Sequence, residues 1–325
     1  MALTPYEEKV WEEVEQYFSE PEESAFGRFS RTVFKPVELV ADRVIPERVL
    51  ELVGDGVEKG LGAIGSMADR TVTADDVLGE FRELGVKADF LEDLNDADFR
   101  IMDDVGEAAI SRNTLYALVE GAGCGAGGLA LLAADIPLLL GLSFRIVRKV
   151  GICYGFDCED PGEKAIAFKV FELAMGGTRE RYDKLLELEA LSDELDGLDP
   201  KERAEKAAVM GALLASREFV KKLAASLLSR KLAQGIPLIG GVIGGGFNFY
   251  FVRDVGHVAQ QVYRRRVLAR RRSDGEDGGA ATPEPTETTD SAGAEEPGTP
   301  AEDAPESPAE SGAPDETPRD PSEAV

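Results

Sequence analysis

Two apolar, glycine-rich segments constrain the fold of this chain more than any other feature. The first, 121–144, carries a single charge, at Asp135, and the second, 235–252, carries none. Each contains an Ile-Pro element followed by Leu, Ile, Val and Gly residues, at 136–142 and again at 236–242, one hundred positions later. A glycine inside a helix costs about 1 kcal/mol relative to alanine. The segments therefore predict two places where backbones pack very closely.

Small residues recur four positions apart in both segments, next to the helix-breaking prolines. They are Gly121 with Gly125 near Pro137, and Gly241 with Gly245 near Pro237. This spacing lets two helices touch backbone to backbone. Apolar segments interrupted by Pro and Gly at corresponding places are typical of paired broken helices or hairpins. We expect the two segments to pack on each other or on a second copy of the chain, which would form a homo-oligomer.

The second segment is long enough to span a membrane, but its hydropathy and its flanking charges are not those of a typical span. Residues 232–252 form a run of 21 without a charge, which is long enough to cross a bilayer. However, Pro237, Gln234, Asn248 and the glycines weaken its hydropathy, and basic residues flank it on both sides, which disfavours a single crossing. A segment that enters the membrane and returns to the same side fits better. The alternative is a tightly buried helix pair in a soluble bundle, because buried helices are also apolar all round.

The rest of the chain up to residue 272 has helical patterns. Apolar residues recur at helical spacing over 6–18, which predicts an amphipathic opening helix, and over 35–67. The patterns over 165–191 and 201–231 each predict one long helix, and Thr73 is placed as the N-cap of a helix that ends near residue 84. Convincing alternation of polar and apolar residues, the pattern of strands, is absent from the sequence. The sequence therefore predicts an all-α multi-helix bundle over 1–272.

The C-terminal 53 residues have a different composition. Residues 273–325 hold 16 acidic residues and one arginine, so they carry −15 of the net charge of −26, and residues 1–272 carry −11. Large apolar side chains are almost absent there, and such a segment cannot offset the entropy cost of ordering. We predict a disordered acidic tail. The acidic body also argues against nucleic acid as a partner, because phosphate binding needs a basic surface.

Several polar residues within or beside the apolar segments are candidates for a site. Asp135, Asn248 and Asp254 are expected to form hydrogen bonds across helix interfaces, with Asp135 near Arg145 or Asn248. An arginine run beyond the second segment could contact anionic lipid headgroups, and it consists of Arg264, Arg265 and Arg266. Two alternatives stay open for this run, a solvated helix end and a binding surface for the acidic tail.

The motifs of common enzymes are absent from the sequence or lack their context. The glycines of 123–128 satisfy GxGxxG but follow a helical run and not a strand, which argues against a dinucleotide site. His257 is the only histidine, so a zinc site with several histidines is excluded. Asp254 lies one turn from His257 and could form an acid/base pair, but no activated nucleophile accompanies it. We predict a non-enzymatic protein without metal or cofactor.

The chain resembles the EcsC family of bacterial and archaeal proteins over about 6–268. The resemblance rests on Glu120–Gly128, Ala134–Pro137, Arg145, Tyr154–Asp157, Gln234–Gly240, Asn248 and Arg253–Asp254, together with Tyr6–Trp11. It implies an all-helical protein at or near the inner face of the cell membrane, beside an ABC transporter or in membrane homeostasis, and it supplies no catalytic residues. We expect a membrane-associated accessory protein on the cytoplasmic side, peripheral or re-entrant. The alternative is a soluble cytoplasmic module that binds a lipid-like ligand between the glycine-rich helices.

Overall fold

Helices account for nearly all of the residues that the computed structural model describes. It describes residues 3–19, 48, 51–61, 72–124, 128–176, 180–214, 216–232 and 240–277, but not the side chains of 120–135, 213–215, 228–245 and 274–277. Within these ranges no residue is in a strand, and the predicted all-α fold is confirmed. The chain divides into two units, 1–280 and 281–325, and every described residue belongs to the first.

The helices differ in length from about two turns to more than ten. In chain order they are α1 (Pro5–Ser19), α2 (51–61), α3 (Ala74–Glu83), a 3-10 helix (Leu91–Asp96), α4 (Phe99–Cys124), α5 (Gly128–Cys153), α6 (Pro161–Met175), α7 (Arg181–Asp196), α8 (Pro200–Leu214), α9 (Arg217–Leu232) and α10 (Gly240–Asp277). The last helix continues five residues past the predicted boundary at 272, and 278–325 lie outside the described residues.

Local capping residues explain where several helices begin. Thr73 is the N-cap of α3, as predicted, and it forms a capping box with Asp76. The Asp76 N–H donates to Thr73 Oγ1 at 3.2 Å and the Thr73 N–H donates to Asp76 Oδ2 at 3.1 Å. Asp160 caps α6 by accepting from the Gly162 and Glu163 N–H groups at 2.7 and 3.3 Å. These bonds satisfy donors that the first turn of a helix leaves unpaired.

Two predicted long helices are each divided into two, so those predictions were wrong. The pattern over 165–191 belongs to α6 and α7, because Gly176 ends α6 and its N–H caps the last carbonyls. The pattern over 201–231 belongs to α8 and α9. Ser216 begins the second helix by accepting from the Phe219 N–H at 3.3 Å. In both cases a capping residue overrides an uninterrupted apolar pattern.

Helices α4, α5 and α10 pack on one another and form the centre of the bundle. A Cβ atom on Gly256 of α10 would lie 3.1–3.2 Å from Ile110 of α4 and from Ile146 of α5. One turn away, a Cβ on Gly106 would meet Tyr154 at 3.3 Å and Gln260 at 3.7 Å. Residue numbers therefore rise along α4 while they fall along α5 and α10, so α4 is antiparallel to both.

This arrangement brings the two apolar segments to the same end of the central helices. The C-terminus of α4 and the N-termini of α5 and α10 all extend beyond the level of Gly256, by about 21, 27 and 24 Å at 1.5 Å per residue. We call this the glycine-rich end. The opposite end holds the N-terminus of α4, the turn after α5 and the C-terminal part of α10.

The sequence context of Pro137 predicts a broken helix, but the helix continues through this residue. Pro137 lies inside α5, where its missing N–H removes one hydrogen bond of the helix. A Cβ on Gly60 of α2 would lie 3.1 Å from the Pro137 Cα and 2.8 Å from Leu140 Cδ1. A close backbone approach therefore exists here, but its partner is α2. Pro237 and the side-chain surroundings of the predicted packing residues Gly121, Gly125, Asp135, Gly241 and Gly245 lie outside the description.

The outer helices cover the three central ones. Helix α6 packs on α5, α7, α8 and α10, helix α1 on α7 and α10, and helix α3 on α4 and α5. Helix α1 is the predicted amphipathic opening helix, and its buried residues Val10, Val14 and Phe18 follow helical spacing.

Candidate functional site

The glycine-rich end carries an exposed apolar surface. Four residues in little more than one turn of α4 are solvent-exposed, namely Leu115 (57%), Tyr116 (55%), Leu118 (38%) and Val119 (72%). Between them Ala117 is buried against the core, so the exposed residues occupy the outer side of the helix. Single exposed apolar residues are normal on a protein surface, but contiguous ones mark interaction sites.

The exposed surface is continuous in sequence with the first apolar segment. Val119 lies nine residues beyond the level of Ile110, about 13 Å closer to the glycine-rich end. Only Glu120 separates it from the segment, whose next charge is at Asp135. On the neighbouring α10, Phe247 and Phe251 stack at 5.6 Å between ring centroids and are fully buried, as is Asn248. The inside of this end is therefore closely packed while its outside is apolar and open.

Arginines lie about one helical turn farther from the glycine-rich end than the exposed surface does. The Arg145 guanidinium lies 5.5 Å from the Tyr116 ring centroid, within the range of a cation–π contact. The half-exposed Arg112, one turn before Tyr116 on α4, pairs with Glu80. Arg253 of α10 donates from Nε to His257 Nε2 at 3.2 Å. These cations mark the boundary between the apolar end and the polar body.

Asp254 lies at a helix interface, where it pairs with an arginine. Its carboxylate is buried and pairs with the Arg181 guanidinium of α7 at 3.5 Å, and Arg181 also donates to the Tyr17 hydroxyl of α1 at 3.3 Å. His257 Nδ1 lies 3.9 Å from Glu107 Oε2, and burial lowers the pKa of the imidazole. Asp254 therefore serves as a contact between α7 and α10, which disfavours the acid/base pair considered from the sequence.

The arginines of the run 264–266 form ion pairs with carboxylates of neighbouring helices. Arg264 Nε donates to Asp103 of α4 at 2.8 Å, Arg265 pairs with Glu15 and Glu189, and Arg266 binds Glu163 through two bonds of 2.7 and 2.6 Å. Successive residues on a helix point about 100° apart, so on a central helix each arginine meets a different neighbour. The predicted contact with lipid headgroups stays untested, but these side chains are committed to internal carboxylates.

Asp103 is the centre of a buried polar cluster that the sequence analysis did not single out. Its carboxylate accepts hydrogen bonds from the Tyr6 hydroxyl at 2.7 Å, from the Tyr154 hydroxyl and from Arg264. The Asp103 cluster thus joins α1, α4, α10 and the turn after α5. Burial, together with the hydrogen bond and charge of Asp103, raises the pKa of Tyr6 to about 12. The available signal was an aspartate at a core-facing position of a helical pattern.

The pKa of Tyr6 predicts a loss of stability in alkali. A folded-state pKa near 12 against about 10 in the unfolded chain means that the Tyr6 contribution is complete below pH 10 and declines as pH rises toward 12. We expect the stability difference between the wild type and Tyr6→Phe to shrink over this interval, as measured by urea unfolding at several pH values. A difference that stays constant through pH 12 would contradict the assigned hydrogen bond.

A polar cleft lies at the opposite end of the central helices. It measures about 240 Å³ and is lined in part by Phe156, Asp160, Glu163, Arg203 and Arg266. Two ion pairs lie in its lining, Arg203 with Asp160 at 3.3 Å and Arg266 with Glu163. The cleft lies away from the glycine-rich end, so it does not correspond to the expected site for a lipid-like ligand.

The two cysteines whose side chains the structure describes are not suited to act as nucleophiles. Cys153 and Cys158 are both buried thiols, and burial raises the pKa of Cys153 to about 12 and that of Cys158 above its ordinary value. A buried thiol with a raised pKa is unreactive because the thiolate is the nucleophile. Among the described residues, no three histidine, cysteine or acidic side chains are placed to hold a metal ion.

The geometry defines an all-α protein whose buried arginines hold carboxylates of neighbouring helices. The model of the EcsC protein family matches residues 8–268, so the chain belongs to the EcsC family. It is similar to the uncharacterized protein YdbA of Bacillus subtilis (strain 168), with 29% identity over 181 residues, 56% of this chain and 63% of YdbA. It is also similar to Protein EcsC of the same organism, with 24% identity over 246 residues, 76% of this chain and 89% of that protein.

No solved structure matches the chain. In the part of the chain that the structure describes, no helix combines the length and the apolar character needed to cross a bilayer.

Proposed function

We propose that this EcsC-family protein is a non-enzymatic accessory protein that contacts the cytoplasmic face of the cell membrane through its glycine-rich end. The observation that carries the proposal is the exposed surface of Leu115, Tyr116, Leu118 and Val119. It leads directly into a segment with one charge in 24 residues.

The physical basis is burial of apolar side chains at the lipid boundary. Full burial of a Leu or Val side chain is worth about 1.5–3 kcal/mol, so a few of them provide useful membrane affinity. Tyrosine and arginine near the edge of an apolar surface are typical of the membrane interface. A helical hairpin such as α4–α5, with its connection at the tip, can enter one leaflet and return without crossing it.

A structural use of the buried charges supports a non-enzymatic role. Asp103, Glu163 and Asp254 each bind an arginine from another helix. A partner in the membrane, such as an ABC transporter, and a homo-oligomer formed through the glycine-rich segments belong to the same proposal and rest on the family resemblance and on the small-residue spacing.

Flotation with lipid vesicles tests the proposal. The wild-type chain is expected to rise with the vesicles, and Val119→Asp is expected to lower the bound fraction about tenfold or more, because a carboxylate is costly to bury in lipid. Phe90→Asp is the matched control, since Phe90 is 68% exposed and lies near the opposite end.

Two results of the flotation experiment would count against membrane association. One is a wild-type protein that stays with the soluble fraction for every vesicle composition. The other is an equal effect of Val119→Asp and Phe90→Asp. Circular dichroism of both variants verifies that they fold, which is expected because both positions are exposed.

A further inference from the structure

Arg145 differs from the other cations of α5 in its partners. Arg148 pairs with Glu159, and Lys149 pairs with Glu80 at 2.9 Å. Within the described residues the Arg145 guanidinium forms no ion pair, and it packs on the ring of Tyr116. Its Nε is buried without a hydrogen-bond partner there. A partly exposed guanidinium beside an apolar surface, without a carboxylate partner within the described residues, is suited to bind an external anion.

The direction of α5 points the Arg145 side chain toward the glycine-rich end. Side chains of a helix tilt toward its N-terminus, and the N-terminus of α5 lies at that end. Helix α4 is antiparallel to α5, so the Tyr116 side chain tilts away from the glycine-rich end and contacts the guanidinium. The pair therefore stands at the edge between the exposed apolar surface and the polar body.

We infer that Arg145 and Tyr116 form a binding site for the phosphate of an anionic lipid headgroup, occupied when the glycine-rich end is in the bilayer. This inference rests on the proposed membrane contact. The guanidinium offers a planar set of N–H donors that suits phosphate oxygens, and the Tyr116 hydroxyl supplies a further donor. Arg112, half-exposed one turn below, adds positive charge to the same edge.

The same chain offers a matched control at its other end. Arg100, also on α4, lies 4.6 Å from the Tyr6 ring centroid and is exposed. It repeats the arginine–tyrosine contact of Arg145 and Tyr116, but far from the glycine-rich end. Removing its charge changes the net charge by the same amount, so it separates a local site from a general electrostatic effect.

Binding to two vesicle compositions tests the inference. Vesicles of phosphatidylcholine alone are compared with vesicles that contain about one third phosphatidylglycerol. We expect the wild type to bind the anionic vesicles more tightly than the neutral ones. Arg145→Gln should bind the anionic vesicles about fivefold more weakly than the wild type and the neutral vesicles equally well. Arg100→Gln should behave as the wild type. Arg145→Lys should retain part of the preference, because it keeps the charge but not the planar donors.

The outcomes separate this inference from the proposed function. If the wild type binds neither vesicle, membrane contact itself fails. If it binds both and Arg145→Gln changes nothing, or if Arg100→Gln has the same effect, the headgroup site is wrong and membrane contact stands. If glycerol 3-phosphate competes at low millimolar concentration, the site takes a free phosphate ester and a bilayer headgroup is not its specific ligand.

Discussion

Replacing Arg266 with methionine is expected to lower the free energy of unfolding by about 3–5 kcal/mol. The Arg266 and Glu163 side chains are only 7% and 12% exposed, and they bind each other through two hydrogen bonds. Arg266 also bonds to Ser192 Oγ at 3.0 Å and lies 4.1 Å from the Phe156 ring centroid. Its removal leaves a buried carboxylate without its partner, which urea unfolding followed by helix circular dichroism will measure.

Two further variants identify the cause of that loss. Arg270→Met, one turn along the same helix, removes an exposed guanidinium 4.2 Å from the same ring and should cost less than about 1 kcal/mol. The double variant Glu163→Gln with Arg266→Met should recover most of the stability, because no buried charge is left unpaired. A double variant as unstable as the sum of both single variants would show that the pair itself is not the cause.

Gly151→Val is expected to destabilise the protein by about 3 kcal/mol or to prevent folding, and Gly151→Ala by about 1–3 kcal/mol. A Cβ at Gly151 would lie 2.8 Å from Cys158 Sγ, 2.8 Å from Tyr263 Cζ and 2.9 Å from its hydroxyl oxygen. Both neighbours are buried in the core, so neither can move without disturbing the packing. Thermal and urea unfolding measure the loss.

Gly141→Ala provides the comparison within the same helix. No atom lies within 4 Å of the Cβ that this change would add, and alanine is the better helix former by about 1 kcal/mol. We therefore expect Gly141→Ala to be neutral or slightly stabilising. Equal losses for Gly141→Ala and Gly151→Ala would contradict the close contact between α5 and α10.

Much of the fold could be predicted from local patterns. The apolar spacing of Val10, Val14 and Phe18 predicts α1, and Thr73 with Asp76 predicts the start of α3. The division of the two longest patterns could not be predicted in the same way, because the apolar spacing continues across Gly176 and Ser216. A single capping residue decides such a boundary, and its weight depends on tertiary packing.

The site was predicted in part. The sequence indicates two apolar segments that come together, and the topology brings both to the glycine-rich end. The roles of individual polar residues depend on which helices surround them, and neighbours far apart in sequence cannot be deduced from spacing. Arg264 illustrates this, because its carboxylate partner Asp103 lies 161 positions away. Asp135 was expected near Arg145 or Asn248, but its side chain lies outside the description. The described contact of Arg145 is Tyr116.

The most direct test of the account is the environment of a fluorophore attached at the glycine-rich end. Val119→Cys and Phe90→Cys are prepared in a chain with Cys124→Ala, since Cys153 and Cys158 are buried and unreactive, and each is labelled with a polarity-sensitive dye. With anionic vesicles, the dye at position 119 should shift to the emission of an apolar environment while the dye at position 90 stays unchanged. An unchanged spectrum at 119, or an equal shift at both positions, would contradict docking through the glycine-rich end.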